Sequence, residues 1–305
     1  MHEIVKMLLK KVADWKGQFT GAFNIRVDGG CFEQQSSRNI HIKGKTDAPG
    51  LDIYVAEDTA GETVYIPACV THGNIDDLVY NDFHVGKNAN IVIVAGCGVH
   101  TENEEPARHN GIHRFFLEAG ARVKYIEKHI GTGNGTGIRS IDPVTEIVLA
   151  ESAVMEMDTS QIGGVDRSVR DTKATLAAGA KLLIRERLLT EGKQQAQTNF
   201  TVQLDGKDAG VDIVSRAVAR GHSYQSYVST IIGNAPCSGH SECDAIIDAD
   251  ASVDATPRLC AHHCDASLIH EAAIGKIAGE QILKLRTLGL SEQEAEAKII
   301  EGFLA

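Results

Sequence analysis

The sequence predicts a mainly β fold, a parallel β-helix with an N-terminal helix and a C-terminal two-helix hairpin. A unit of apolar residue, small or polar turn, alanine and strand recurs at Val85–Ile91, Leu117–Val123, Leu149–Met155 and Leu176–Leu182. Its alanines, Ala89, Ala121, Ala153 and Ala180, are spaced by 32, 32 and 27 residues, in the range of solenoid repeats, and a similar unit follows at Leu204–Ile213. Short β-branched runs such as Ile25–Val27, Ile91–Val94, Val144–Leu149 and Val211–Ser215 alternate with Gly, Asn and Asp from Phe19 to about Ile269, and helical periodicity is confined to the two ends.

The expected domains are an N-terminal helix over 1–18, a β core over 19–269 and a helical region over 270–305. In Glu3–Trp15, Ile4, Met7, Leu8, Val12 and Trp15 recur mostly at three and four residues, the spacing of one helical face that docks on a neighbour. In the core, a coil of two or three short strands cannot bury its apolar face alone, whereas stacked coils share one interior. Aromatics are only 5% of the chain, so Val, Ile, Leu and Ala must fill that interior, which favours a β-helix over a propeller; an irregular β-sandwich is the competing arrangement. After His270, Ala278–Leu288 carries Ile282, Leu283, Leu285 and Leu288 and ends at Gly289, the residue suited to a left-handed C-terminal position. Ser291-Glu292-Gln293-Glu294 is a capping box that starts a second helix. The hairpin either caps the solenoid or offers a groove to a partner.

The 305 residues suit two compact units or one elongated one, and 43% hydrophobic with 23% charged residues is ordinary globular composition. A formal net charge of -11 repels phosphate backbones and anionic lipid heads, so no nucleic-acid partner is expected. The most apolar runs, Ile91–Cys97 and Ala177–Ile184, are far short of a bilayer span. Lys6, Lys10, Lys11 and Lys16 interrupt any leader-like apolar region, so cytoplasmic residence is the expectation.

No P-loop, C-x-x-C, H-E-x-x-H or G-x-S-x-G occurs, and the glycine-rich run Gly131–Gly137 precedes a strand-like stretch, which makes it a flexible loop and not a phosphate cradle. Seven cysteines are present, with Cys31, Cys69 and Cys97 dispersed and the other four crowded between Cys237 and Glu271. That run carries Cys237, His240, Cys243, Cys260, His262, His263, Cys264, His270 and Glu271. Thiolates and imidazoles ligate iron, zinc and copper, and a thiolate sulfur also accepts sulfane sulfur. Cys260-x3-Cys264 with His262 and His263 between is a weaker metal pattern. Glu242 and Asp244 beside Cys243 disfavour its thiolate unless a cation compensates, and His270-Glu271 alone reads equally as a surface pair.

Cys243-Asp244-Ala245-Ile246-Ile247, His270–Ile277, Glu280–Leu283, Leu288–Glu292 and Ile299–Phe303 together resemble the C-terminal region of the SufB/SufD family of iron-sulfur cluster assembly scaffolds. The resemblance implies a right-handed β-helix, a helical domain that binds a SufC-type ABC ATPase, and an obligate dimer. It implies that Cys243 and Glu271, with His270 beside them, hold a transient iron-sulfur cluster at the dimer interface, with ATP bound only by the partner subunit. Cys237, Cys260, His262, His263 and Cys264 are weaker candidate ligands. The long N-terminal region and C-x-x-C-type motifs of larger SufB proteins are missing, so the chain resembles a shorter form that pairs as a homodimer. The sulfur donor stays open, with Cys31, Cys69 and Cys97 as possible relay thiols or buried core residues. The alternatives are a SufD-like structural partner without a cluster and a β-helix metalloenzyme using His262, His263 and Cys264 around zinc.

Overall fold

The computed structural model describes all 305 residues and is a parallel β-solenoid of about eight turns, with one helix in the N-terminal and two in the C-terminal part of the chain. Successive strands alternate between two long sheets, and in each sheet a strand pairs in register with the strand one coil earlier. Antiparallel pairing is confined to the N-terminal end, where Ala22–Val27 pairs with Gly30–Gln35 and Ile40–Gly44 with Gly50–Val55.

The repeat seen in the sequence is the corner of this coil. Ala89, Ala121, Ala153, Ala180 and Ala209 are all fully buried. Each follows a residue in the left-handed region, namely Asn88, Gly120, Ser152, Gly179 and Asp208. The turn needs one positive φ to reverse the chain, and the methyl group after it is what fits inside the stacked corner. The interior holds aliphatic ladders, as expected, but also a concentrated aromatic stack: Phe83 and Phe115 lie 4.6 Å apart and nearly parallel, with Tyr125 edge-on to Phe115 at 5.0 Å. The run Gly131–Gly137 is not a loose loop. Gly135 and Gly137 donate to the carbonyls of Thr101 and Asn103, and a Cβ on Gly137 would fall 2.0 Å from the Glu105 carbonyl oxygen, so its glycines serve close backbone stacking.

Helix α1 (Glu3–Ala13) lies across the outside of the strand Asn90–His100. Gly96 and Gly98 make room for it, since a Cβ at Gly96 would stand 2.3 Å from the Val12 carbonyl oxygen and one at Gly98 would meet Leu8. Its buried face is Val5, Leu8, Leu9, Val12 and Ala13, packed partly on Phe23, Ile25 and Cys69, while Ile4, Met7 and Trp15 sit at the margin. The expected stripe is therefore rotated by about one residue.

At the other end, the strand Ser267–Gly275 runs through position 270, so the sheet continues past the expected start of the helical region. Helices α2 (Gly279–Thr287) and α3 (Glu292–Phe303) follow. Gly289 has φ 98°, and the capping box forms: Ser291 accepts from the Glu294 amide at 3.2 Å while the Glu294 carboxylate accepts from the Ser291 amide at 2.8 Å. The hairpin does not cap the solenoid. It folds back along one side, where Arg216 donates to the Phe303 carbonyl at 3.3 Å and stacks over its ring, and Arg220 approaches Glu296 at 3.8 Å. The final strands Ser252–Ala261 and Ser267–Gly275 thus form the outermost edges of the two sheets, and Leu259 and Ile274 are about 40% exposed there.

Candidate functional site

Two rules of strand geometry place every candidate. Side chains alternate between faces, and in-register stacking puts equivalent residues of successive coils in one ladder. One inward ladder runs Glu127, Thr159, Glu186, Ser215, Cys243 and Ala272. Cys243 is therefore an interior residue, fully buried and a single coil from the open end. Burial, and after it the negative charge of Glu186 and Asp244, pushes its thiol up to about 12. His270 also lies on the inward register of the last strand, next to Ser241, and its Nδ1 is buried without a hydrogen-bond partner. Ser241 is held by the hydroxyls of Tyr227 and Ser229, each at 2.9 Å. Glu271 takes the opposite face, beside Glu242, and is 68% exposed. The sheet brings Cys243 and His270 to one face and separates both from Glu271.

The weaker candidates scatter. Cys237 is buried in the main core. Cys260 is half-buried, and its ladder neighbour Ile232 belongs to the outward register. His262 Nδ1 is tied to the Asn234 side chain at 2.8 Å, whereas His263, Cys264 and Asp265 share a turn with the thiol 3.9 Å from His263 Nδ1. Cys31 is exposed; Cys69 and Cys97 are buried, and burial followed by the Asp28 charge pushes the Cys69 thiol up to about 12.

What the sequence reading missed is a buried polar row along the solenoid axis. His113 sits 2.8 Å from the Tyr125 hydroxyl, which donates to Glu127 at 2.8 Å. Glu127 faces His129 at 3.3 Å and Arg170 at 2.7 Å, and Arg170 reaches Glu186 at 3.6 Å. Thr198 and Ser215 donate to Glu186 at 3.0 and 2.7 Å. Burial opposes every charge here. Arg170 and His129 nevertheless hold Glu127 well below the usual carboxylate range, whereas for Glu186 burial outweighs Arg170 and the carboxyl is raised. The signal available in sequence was an ionisable residue at an inward position of an alternating strand, as with Glu127, Arg170 and Glu186, but it becomes visible only once the inward register is known.

His113 makes this row sensitive to acid. Its Nε2 accepts from Asn81 at 3.3 Å and its Nδ1 faces the Tyr125 hydroxyl, so the neutral tautomer satisfies both contacts. Burial pushes its pKa down to about 4, whereas an unfolded histidine titrates near ~6.5. Between those values the unfolded chain binds the extra proton, so stability falls as pH falls from about 6.5 to about 4, by about 3 kcal/mol over the full window. Buried His129, also held low by burial, adds to the loss in this window and the raised Glu186 offsets part of it, while Glu127 and Asp77, both held low, add further loss only below the ordinary carboxylate range. Urea midpoints measured from pH 7 to 4.5 should therefore drop steadily, and His113→Gln should flatten the slope.

The family model described as the SufBD core domain of the SUF system for FeS cluster assembly matches residues 79–303. An iron-sulfur cluster assembly SufBD family protein of Methanothermobacter thermautotrophicus is 27% identical over 252 residues, which cover 81% of this chain and 60% of that protein. Similar relatives occur in Archaeoglobus fulgidus, 26% identical over 85% of this chain and 69% of the relative, and in Methanocaldococcus jannaschii, 25% identical over 77% and 74%. The matched region spans about 60% of the length of the Methanothermobacter relatives.

Proposed function

Because the chain belongs to the SufBD family of iron-sulfur cluster assembly proteins, we propose that it is the scaffold on which a nascent cluster is built, in a complex powered by a separate SufC-type ABC ATPase. The observation that carries this reading is the position of Cys243 and His270, two inward-facing ligand types in the last two coils beside an unclosed end. Unpaired strand edges bearing exposed apolar side chains are unstable alone and favour pairing with another chain. A second copy seated on Ser252–Ala261 and Ser267–Gly275 would close both solenoids and bring two sets of Cys243 and His270 to a shared interface, with Glu271 at its rim. A soft thiolate with imidazole and carboxylate oxygen is a mixed ligand set that holds a cluster without retaining it.

The ATPase would dock on the hairpin. Leu283 and Leu288 are 61% and 73% exposed, unusually open for leucines, and no residue of α2 is buried. ATP-driven approach of two ATPases would strain the scaffold interface and open the buried thiol, a two-state coupling. The whole chain, mixed anaerobically with its ATPase, ferrous iron and sulfide, should gain cluster absorption and a matching Mössbauer signal. Leu283→Asp with Leu288→Asp should abolish ATPase co-purification without lowering the melting temperature, and retained co-purification would remove the hairpin from the proposal.

A second reading, a SufD-like structural partner without a cluster, is favoured by one observation, the burial that keeps Cys243 protonated at rest. It expects complex formation and ATPase stimulation with no iron taken up.

A further inference from the structure

Three groups of side chains bring metal-type donor atoms within 4.8 Å of one another. In the first, Asp52, Asp82 and His84, the carboxylates are already neutralised. Lys45 pairs with both aspartates and Arg114 donates to Asp82. In the second, His263, Cys264 and Asp265, the ligands are consecutive in one turn, and the His263 Nδ1 lone pair accepts from the Asp265 amide at 3.1 Å. The third, His240, Glu242 and Glu271, is different in kind.

These three side chains project from the outward face of neighbouring strands. Glu242 and Glu271 are direct ladder partners, and His240 lies two residues before Glu242 on the same strand and face. Two residues along a strand and one step across a sheet place donors about 5 to 7 Å apart at their Cβ atoms, from which an imidazole and two carboxylates converge on one point. His240 is already oriented. Its Nδ1 faces Asp212 Oδ1 at 2.8 Å, and Asp212 is itself held by Arg185 at 2.7 Å. That contact fixes the proton on Nδ1 and leaves the Nε2 lone pair pointing outward, the carboxylate–histidine arrangement that supports metal-bound imidazoles. The Nε2 to Glu271 separation is 4.0 Å. This is too long for a hydrogen bond, yet it lies within the roughly 3 to 4.2 Å that separates two donors each about 2.1 Å from a common ion. No lysine or arginine forms an ion pair with Glu242 or Glu271; the nearby guanidiniums serve Asp212 or, in the case of Arg216, the Phe303 carbonyl.

We propose that His240, Glu242 and Glu271 form a site for one divalent transition-metal ion on the outer face of the last coils, with Asp212 as the residue that positions His240. One imidazole and two carboxylates suit ferrous iron, manganese, cobalt or zinc, and three protein ligands leave coordination positions open to water or to an incoming donor. The site is separated from Cys243 by the thickness of the sheet. Glu271 is shared with the cluster reading, but His240 and Glu242 have no part in it, so the two can fail independently.

The probe is Co²⁺ added to the whole chain, read by visible absorption and by titration calorimetry. The expected result is one high-affinity ion per chain. His240→Ala and Glu242→Gln should each weaken binding more than ten-fold, and Asp212→Asn should weaken it by about ten- to a hundred-fold, all with the fold retained because the positions are half-exposed on the outer face of the sheet. Cys243→Ser should bind Co²⁺ as wild type does. No uptake by the wild type, or wild-type affinity in both His240→Ala and Glu242→Gln, would overturn the site. A chain that assembles clusters yet takes up no Co²⁺ loses this site alone. A chain that binds Co²⁺ but never assembles a cluster loses the scaffold reading alone.

Discussion

Arg170→Met should lower the stability of the chain by about 3–5 kcal/mol, the usual cost of leaving a buried charge without its partner. Arg170 is only 6% exposed and lies between Glu127 at 2.7 Å and Glu186 at 3.6 Å, the two carboxylates of the axial row. Methionine replaces much of the volume of the arginine stem, so the loss comes from charge and not from a cavity. Without the guanidinium, Glu127 keeps only His129 and the Tyr125 hydroxyl, and Glu186 keeps only the hydroxyls of Thr198 and Ser215. One or both carboxyls must then take up a proton. Urea unfolding at pH 7 measures the loss. Adding Glu127→Gln to Arg170→Met should recover part of it, because the double variant removes the uncompensated charge that the single one creates. A midpoint within error of wild type would mean that water already solvates the row.

Cys243→Ser should eliminate cluster assembly while sparing the fold. Serine is nearly isosteric, and the adjoining ladder position is already the buried Ser215, so the interior accepts a hydroxyl there. What is lost is the soft sulfur donor. With the thiol pushed up to about 12, the thiolate fraction at pH 7 is on the order of 10⁻⁵ in the resting chain. Iodoacetamide should therefore modify exposed Cys264 and Cys31 quickly and Cys243 hardly at all, and labelling of Cys243 should rise when the ATPase complex binds ATP. Wild-type cluster yield in the serine variant would exclude Cys243 as a ligand, and unchanged labelling with ATP would exclude the opening step.

Much of the fold was legible from local chemistry. The corner alanines announce the coil because a tight turn with one left-handed residue excludes anything larger, and a sequence repeat preserves that constraint in every turn. The capping box and Gly289 mark α3 and the end of α2, since both depend on residues within a few positions of one another. The packing of α1 was less legible. Its docking face is set by the room that Gly96 and Gly98 leave, about ninety residues away, together with the apolar seat of Phe23, Ile25 and Cys69, none of which the helix's own periodicity contains.

The site divides along the same line. Which residue types crowd between Cys237 and Glu271, and which family the chain belongs to, are properties of the sequence itself, because composition, spacing and motif order need no coordinates. The face each of those residues occupies was decided by the tertiary structure. Side chains one residue apart on a strand point to opposite sides, so adjacent His270 and Glu271 part company, while His240, Glu242 and Glu271, up to thirty-one positions apart, converge. The buried row through Glu127, Arg170 and Glu186 has the same origin. In-register stacking puts Glu127 and Glu186 in one ladder two coils apart, and Arg170 reaches both across the interior from the facing sheet, so charges far apart in sequence become one connected row.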